Sequence, residues 1–417
     1  MSRICSYKKI VALVVNKHWI YLVFGNAYDS HSLSARRLRI DLTKVVFPLM
    51  EFILKMFISS RKAALAVATV AAFSLTACQT PAKNNKPAAF AETTVKPAEA
   101  HISQRVIGDG LYEMTYSSAA NALFVASAQG FKDVNGGMLY RLDPATLETK
   151  GETHTDLKNF AMAVEPDGSL FYVTNTLDGG ISKVDAKSGK VLQRLMFSEK
   201  DKDGDPMGAR EIFLHQRQLY IGGVSDPAVI WVVDAKTMTL KTRIKNAGKW
   251  VTGITYSPVT DRIYAATGGG VIQVINPHTH KIVKRWAPDD GKEYLFVNLA
   301  EDPATGRLFV TDDSKAKTTL VFDEHSGKVI KRISGDALGI KFNAKRNEIY
   351  ISQRQSKKVL QLDATTYAVK NSWSFESHPN SLLVSEDGQT LYVSVKQDFN
   401  EDNSTKGPDS VARINLK

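Results

Sequence analysis

LFYVTN, residues 170–175, is one copy of a strand that recurs along the chain. The others read LFVAS (123–127), LYIGG (219–223), IYAAT (263–267), LFVTD (308–312), IYISQ (349–353) and LYVSV (391–395). Each is a short β-branched run with an aromatic second residue: Phe124, Phe171, Tyr220, Tyr264, Phe309, Tyr350 and Tyr392. These aromatics stand 41 to 49 residues apart. A period of that length holding several strands marks a β-propeller, whose repeats bury their faces only against one another.

The same internal order surrounds every copy. An alternating strand A, such as Tyr112-Glu113-Met114-Thr115-Tyr116, leads through a tight turn into the aromatic strand B. Turns such as Pro166-Asp167-Gly168 and Glu386-Asp387-Gly388 suit that link. Strand C ends on Asp143, Asp185, Asp234, Asn276, Asp323, Asp363 or Asn415, and a turn then enters strand D. Such an Asp or Asn bonds the backbone two residues on, so these acids are structural. No convincing helix-period segment lies in 101–417. The seventh copy stops after strand C, while ISQRVIGDGLYEM (102–114) parallels VIKRISGDALGI (329–340), which runs from strand D into the next strand A. The expectation is an all-β, seven-bladed propeller over 101–417. Its N-terminal strand, His101–Ile107, closes the last blade and leaves the ring no open edge.

The first hundred residues read differently. Of 417 residues, 54 are Lys or Arg and 43 Asp or Glu, a formal charge of +11. Residues 1–78 hold 11 of the bases and 3 of the acids, so the remaining 339 residues carry only +3. That is no strongly basic nucleic-acid binder, and 43% hydrophobic residues exclude global disorder. Two cysteines, with no Cys-x-x-Cys, exclude a disulfide framework, zinc ribbon or haem attachment. From Met56, Arg61 and Lys62 precede an apolar stretch, Ala63–Ala77, too short to span a bilayer as a helix. Its end, Leu75-Thr76-Ala77-Cys78, resembles the lipobox of bacterial lipoproteins. That resemblance implies lipidation of Cys78 and a membrane as partner; several acyl chains on one residue would give a stable anchor. Gln79, where an Asp typically signals inner-membrane retention, favours the outer membrane. The alternatives are an ordinary secretory signal or an N-terminal anchor. Residues 1–55 read as an upstream extension; in its apolar run, Ile10–Phe24, Lys17 and His18 disfavour a spanning helix. Residues 79–100, rich in Pro, Ala, Lys, Asn and Thr, read as a flexible tether.

YVTN at 172–175 and its degenerate copies resemble the YVTN-type β-propeller family, and within it the periplasmic YncE-like proteins, across essentially all of 101–417. The most specific stretches are GLYEMTYSSAANALFVAS (110–127), VIWVVDAKTMTLKTRIKNAGK (229–249) and HPNSLLVSEDGQTLYVSVKQ (378–397). The resemblance implies a periplasmic seven-bladed propeller with no established enzymatic activity and an ability to bind DNA, chiefly single-stranded. The lipobox departs from the ordinary signal peptide common in that group, which argues against a freely diffusing role.

Strand A supplies one column expected to face the axis: Glu113, Ala161, Glu211, Gly253, Asn298, Gly339 and Ser381. The intervening column, Met114 to Leu382, is apolar throughout and suits packing between blades. Crowding explains the small residues. Glu113, Glu211, Asn298 and Ser381 would line either a solvated channel or a site for a cation, water or ligand amine. The loops of that face combine aromatic and basic residues: Phe131, Lys132, Lys158, Phe160, Arg210, Lys249 and Trp250. Further round come Lys292, Tyr294, Arg354, Lys357, Lys358, His378 and Lys396. Bases stack on aromatic faces and phosphates follow cations, so this set fits single-stranded nucleic acid. Against it, lysines and arginines sit wherever solvent is, and Phe160 and Trp250 would also plug the channel mouth. Acidic neighbours, Glu199, Asp201, Asp203, Asp205, Asp289, Asp290, Glu401 and Asp402, oppose a phosphate track.

Other chemistry lacks its residues. Asp201–Asp205 carries Gly204 at the wrong place for a calcium loop, and Ile212 stands where a bidentate Glu is needed. His278, His280 and His325 lack further ligands in sequence, and no phosphate loop, Gly-x-Ser-x-Gly elbow or His-Glu-x-x-His occurs. The DAKSGK-type turns resemble quinone-dependent dehydrogenase propellers, but here only Trp286 and Trp373 end a strand D. The expectation is a monomeric, cofactor-free, non-catalytic binding or scaffold module with an envelope protein partner. The alternatives are a single-stranded DNA binder and an enzyme using Glu113 or Glu211 as acid/base in the channel.

Overall fold

The computed structural model describes residues 102–130, 136–401 and 404–416, together with the backbone of Ile10–Asn16, Trp19–Phe24 and Leu38–Asp41. Those three short strands form an antiparallel sheet of their own, with Asn16 opposite Trp19. Cys78, the tether 79–100, Phe131, Lys132 and Asp402 lie outside the described residues. Among the described residues no helix is long and apolar enough to cross a membrane.

Seven four-stranded antiparallel sheets follow. Blade 1 begins with strand A at Leu111–Ser117, and the later blades begin at Asn159, Gly208, Val251, Phe296, Ile340 and His378. In the seventh blade, Asp409–Asn415 is strand C and pairs antiparallel with Ile102–Gly108, Val411 facing Arg105. Innermost strands of successive blades touch in a closed circuit, the seventh returning to the first. That circuit defines the axis.

The B strands form the core of every blade. Phe124, Tyr172, Tyr220, Tyr264, Phe309 and Tyr350 are fully buried, each aromatic worth about 1.5–3 kcal/mol of burial. Pairing corrects one alignment. The first residue of strand B lies opposite the Asx that ends strand C, as in Leu170–Asp185, Gln218–Asp234 and Glu348–Asp363. By that register Tyr172, not Phe171, is the equivalent of Tyr220 and Tyr350. The hydroxyls of Tyr172, Tyr220 and Tyr392 then reach carbonyls of the next blade, Ala235, Pro277 and Pro144, at 2.8, 3.2 and 2.8 Å. Outer strands keep half or more of their residues in solvent, as in Val329–Ser334, where four of six are exposed. The acids closing strand C accept backbone N–H bonds two and three residues on, as Asp143 does from Ala145 and Thr146 at 2.9 and 2.8 Å.

Candidate functional site: the axial channel

Strand A slips out of register with strand B near its start in blades 1, 2, 3, 5 and 7, and by the single residue Thr252 in blade 4. The skipped pairs are Tyr112-Glu113, Phe160-Ala161, Arg210-Glu211, Val297-Asn298 and Asn380-Ser381. A bulge of this kind re-aims side chains that strict alternation would send to opposite faces. Here it turns two consecutive residues of a blade toward the axis. A hydroxyl on strand B holds the bulge in four blades. Thr174, Thr311, Ser352 and Ser394 accept the amides of Ala161, Asn298, Gly339 and Ser381 at 2.7 to 3.0 Å. Three of these hydroxyls also donate to the next blade, to the carbonyls of Arg210, Leu338 and Asn380, at 2.6 to 2.8 Å.

The channel holds a cavity of about 330 Å³ that is partly open to solvent. Glu113, Glu211, Asn298 and Ser381, from four blades, all line it, and so do Phe160, Arg210, Trp250 and Arg354. Small column residues have the expected steric cause: a Cβ on Gly339 would lie 2.4 Å from the Asn380 carbonyl oxygen. Tyr112, Thr252, Asp313, Lys341 and Asn380 complete the polar lining. Sequence reasoning missed these five: Tyr112, Thr252 and Asn380 are skipped where strand A slips, Asp313 lies just past strand B, and Lys341 lies outside the single alternating column.

Aromatic and cationic groups form a stack at the mouth. The rings of Tyr112 and Phe160 lie 4.4 Å apart. The Arg210 guanidinium sits 4.6 Å from the Phe160 ring centre, and the Lys396 ammonium 4.1 Å from that of Tyr112. Geometry of this kind contributes about 0.5–2 kcal/mol per contact. Glu113 and Glu211 are half-buried, both facing the channel cavity. Loss of water pushes the Glu113 carboxyl up, opposed by the charges of Lys341 and Arg210. Glu211 is pushed well up by the same loss of water and then by repulsion from Glu113. Burial also raises Asp313, against the pull of Arg354. Asn298 is committed, its amide donating to the Leu338 carbonyl at 2.8 Å.

The loop candidates divide. Lys158 and Lys396, expected as solvent-facing cations, are 8% and 2% exposed. Lys158 donates to the carbonyls of Ala128 and Gly136 at 3.0 and 3.3 Å. Lys396 donates to the Leu111 carbonyl at 2.8 Å and pairs with Asp409 at 3.2 Å. Both ammonium groups serve the fold, since a buried charge requires partners. His378 bridges the Arg354 carbonyl and Asp398, at 2.9 and 2.6 Å. Tyr294 is buried, donating to Asp290 at 2.7 Å. Lys357 donates to the Glu376 carbonyl at 2.9 Å. Trp250 is 38% exposed with the Lys249 ammonium 4.6 Å from its ring centre. Lys249 and Tyr294 line a separate groove beside glycines 268–270. Elsewhere, His278 bonds Asp261 at 2.8 Å and His280 lies 3.2 Å from the Tyr220 hydroxyl, as turn residues do.

No protein-family profile matches the chain. In sequence it is 39% identical over 319 residues to the uncharacterized protein YncE of Salmonella typhimurium, covering 75% of this chain and 90% of that one. To the uncharacterized protein YncE of Escherichia coli K12 it is 38% identical with the same coverage. Antigen Lp49 of Leptospira interrogans is 25% identical over 275 residues, 60% of this chain and 57% of its own.

Proposed function

The chain belongs to the YncE family of proteins, and from that premise we propose that it is a non-catalytic binding module whose ligand site is the axial cavity and its mouth. One observation carries this reading: polar residues from separate blades converge with two arginines on a single space within the channel. Concave sites with a few placed polar groups and aromatic walls are where proteins hold small ligands. Ligand-observed NMR against small organic anions, cations, zwitterions and sugars tests it. The expected result is saturable binding of at least one class, lost in Arg210→Ala. Binding that ignores Arg210→Ala, or none at all, contradicts it.

A second reading, single-stranded DNA on the loop face, is favoured by exposed Trp250 under Lys249. The burial of Lys158 and Lys396 removes two of its cations. Its test is salt-titrated binding to single-stranded DNA. Affinity that is absent at low salt, or unchanged by Trp250→Ala and Lys249→Ala, sinks it.

The module works in the periplasm in this proposal, lipid-anchored at Cys78 to the outer membrane and docking an envelope protein as a monomer. Leu75-Thr76-Ala77-Cys78 supports the anchor. Cys78→Ala should release the protein from membranes; a membrane-bound variant would implicate residues 1–55.

A further inference from the structure

We propose that the axial cavity takes a small zwitterion, its carboxylate meeting Arg210 and Arg354 and its ammonium meeting Glu113 and Glu211. This rests on the binding-module reading and names the ligand class for the same site.

The cations come first. Arg210 and Arg354 both line the cavity and also the adjoining pocket at its mouth. Among the described residues neither guanidinium has an ion pair. Among the described residues the side chain of Arg210 makes one long contact, 3.5 Å to the Thr252 carbonyl, and that of Arg354 makes no hydrogen bond. Asp313 competes for Arg354 at a distance without pairing with it. The Arg210 guanidinium rests 4.6 Å from the Phe160 ring centre, a contact that narrows the freedom of its planar fork. Such a fork matches the two oxygens of a carboxylate.

The acids come next. Glu113 and Glu211 have no ion pair among the described residues, and the Lys341 and Arg210 charges act on them without contact. Two carboxyls that face one channel from blades 1 and 3, the first raising the second by repulsion, are costly unless a counter-charge or a proton is supplied. A ligand ammonium supplies the charge.

Spacing joins the two halves. The bulge presents Arg210 and Glu211 as consecutive residues facing one space, so opposite charges lie at adjacent levels of the channel. The rings of Tyr112, Phe160 and Trp250 line the same cavity and suit a short methylene chain. A cavity of about 330 Å³ is in the range that takes a small molecule, not a strand of nucleic acid.

Calorimetric titration of the whole chain at pH 7 with 6-aminohexanoate, hexanoate and hexylamine tests the assignment. The expected result is saturable binding of 6-aminohexanoate, with each single-charge analogue at least tenfold weaker. Arg354→Ala and Glu211→Gln should each cost at least tenfold for 6-aminohexanoate. Glu211→Gln should not weaken hexanoate, which has no ammonium for Glu211 to meet. Equal binding of hexanoate or hexylamine overturns the zwitterion. So does failure of all three probes while another small-molecule class binds, and the binding module then survives. If no class binds, both readings fall. Should Arg354→Ala not fold, the three probes on the unaltered chain decide alone.

Discussion

The hydroxyl of Thr174 donates to the carbonyl of Arg210 in the next blade at 2.8 Å, while accepting the amide of Ala161 in its own blade at 2.9 Å. One side chain thus fixes the bulge of blade 2 and the level of Arg210 in blade 3. Replacing it with valine keeps the shape and leaves a buried amide and a carbonyl unpaired. Thr174→Val should cost about 1–3 kcal/mol, read as a lower urea midpoint, and should weaken ligand binding through Arg210. An unchanged midpoint would deny the clasp.

Lys396 has the position of a ligand-binding cation and the surroundings of a structural one. Its ammonium is satisfied by Leu111 and Asp409, and Asp409 also accepts the amides of Leu111 and Gln397 at 2.9 and 2.7 Å. Removing one partner of a buried pair strands the other charge. Lys396→Ala should therefore lose about 3–5 kcal/mol in chemical unfolding. A fully stable variant with altered DNA binding would reverse the assignment.

Away from the channel, Glu301 and Glu324 are each raised from 4.5 to about 7, chiefly by burial. One oxygen of each has no hydrogen-bond partner, and the Ser257 hydroxyl donates to the other oxygen of Glu324 at 2.5 Å. The folded protein binds these protons more tightly than the unfolded chain. Their stabilising contribution is full below pH 4.5 and is lost as pH rises through about 7. Urea midpoints should fall between about pH 5 and 7, and Glu324→Gln should flatten part of that slope. A midpoint rising with pH over this window would refute it.

Blade number and strand order were legible because seven aromatic B strands repeat with turn residues at fixed offsets. The axial column was legible too: Glu113, Glu211, Asn298 and Ser381 do share one cavity. Tyr112 and Asn380 were not, since alternation sends neighbours of the column to another face and only the bulge brings them back. The missed signal was the Thr or Ser at the fifth position of strand B, Thr174, Thr311, Ser352 and Ser394, which holds that bulge. Nor does sequence bury Lys158 or Lys396: their carbonyl acceptors include Ala128, Gly136 and Leu111, on other strands or loops. Lysine exposed is the ordinary expectation.

The channel carboxyl pair is the centre of the account, and carbon-13 NMR titration of the Glu211 side chain tests it most directly. In the unaltered protein Glu211 should titrate well above 4.5, and Glu113→Gln, which removes the neighbouring charge, should move it down. A Glu211 that titrates near 4.5 and ignores Glu113→Gln would contradict it.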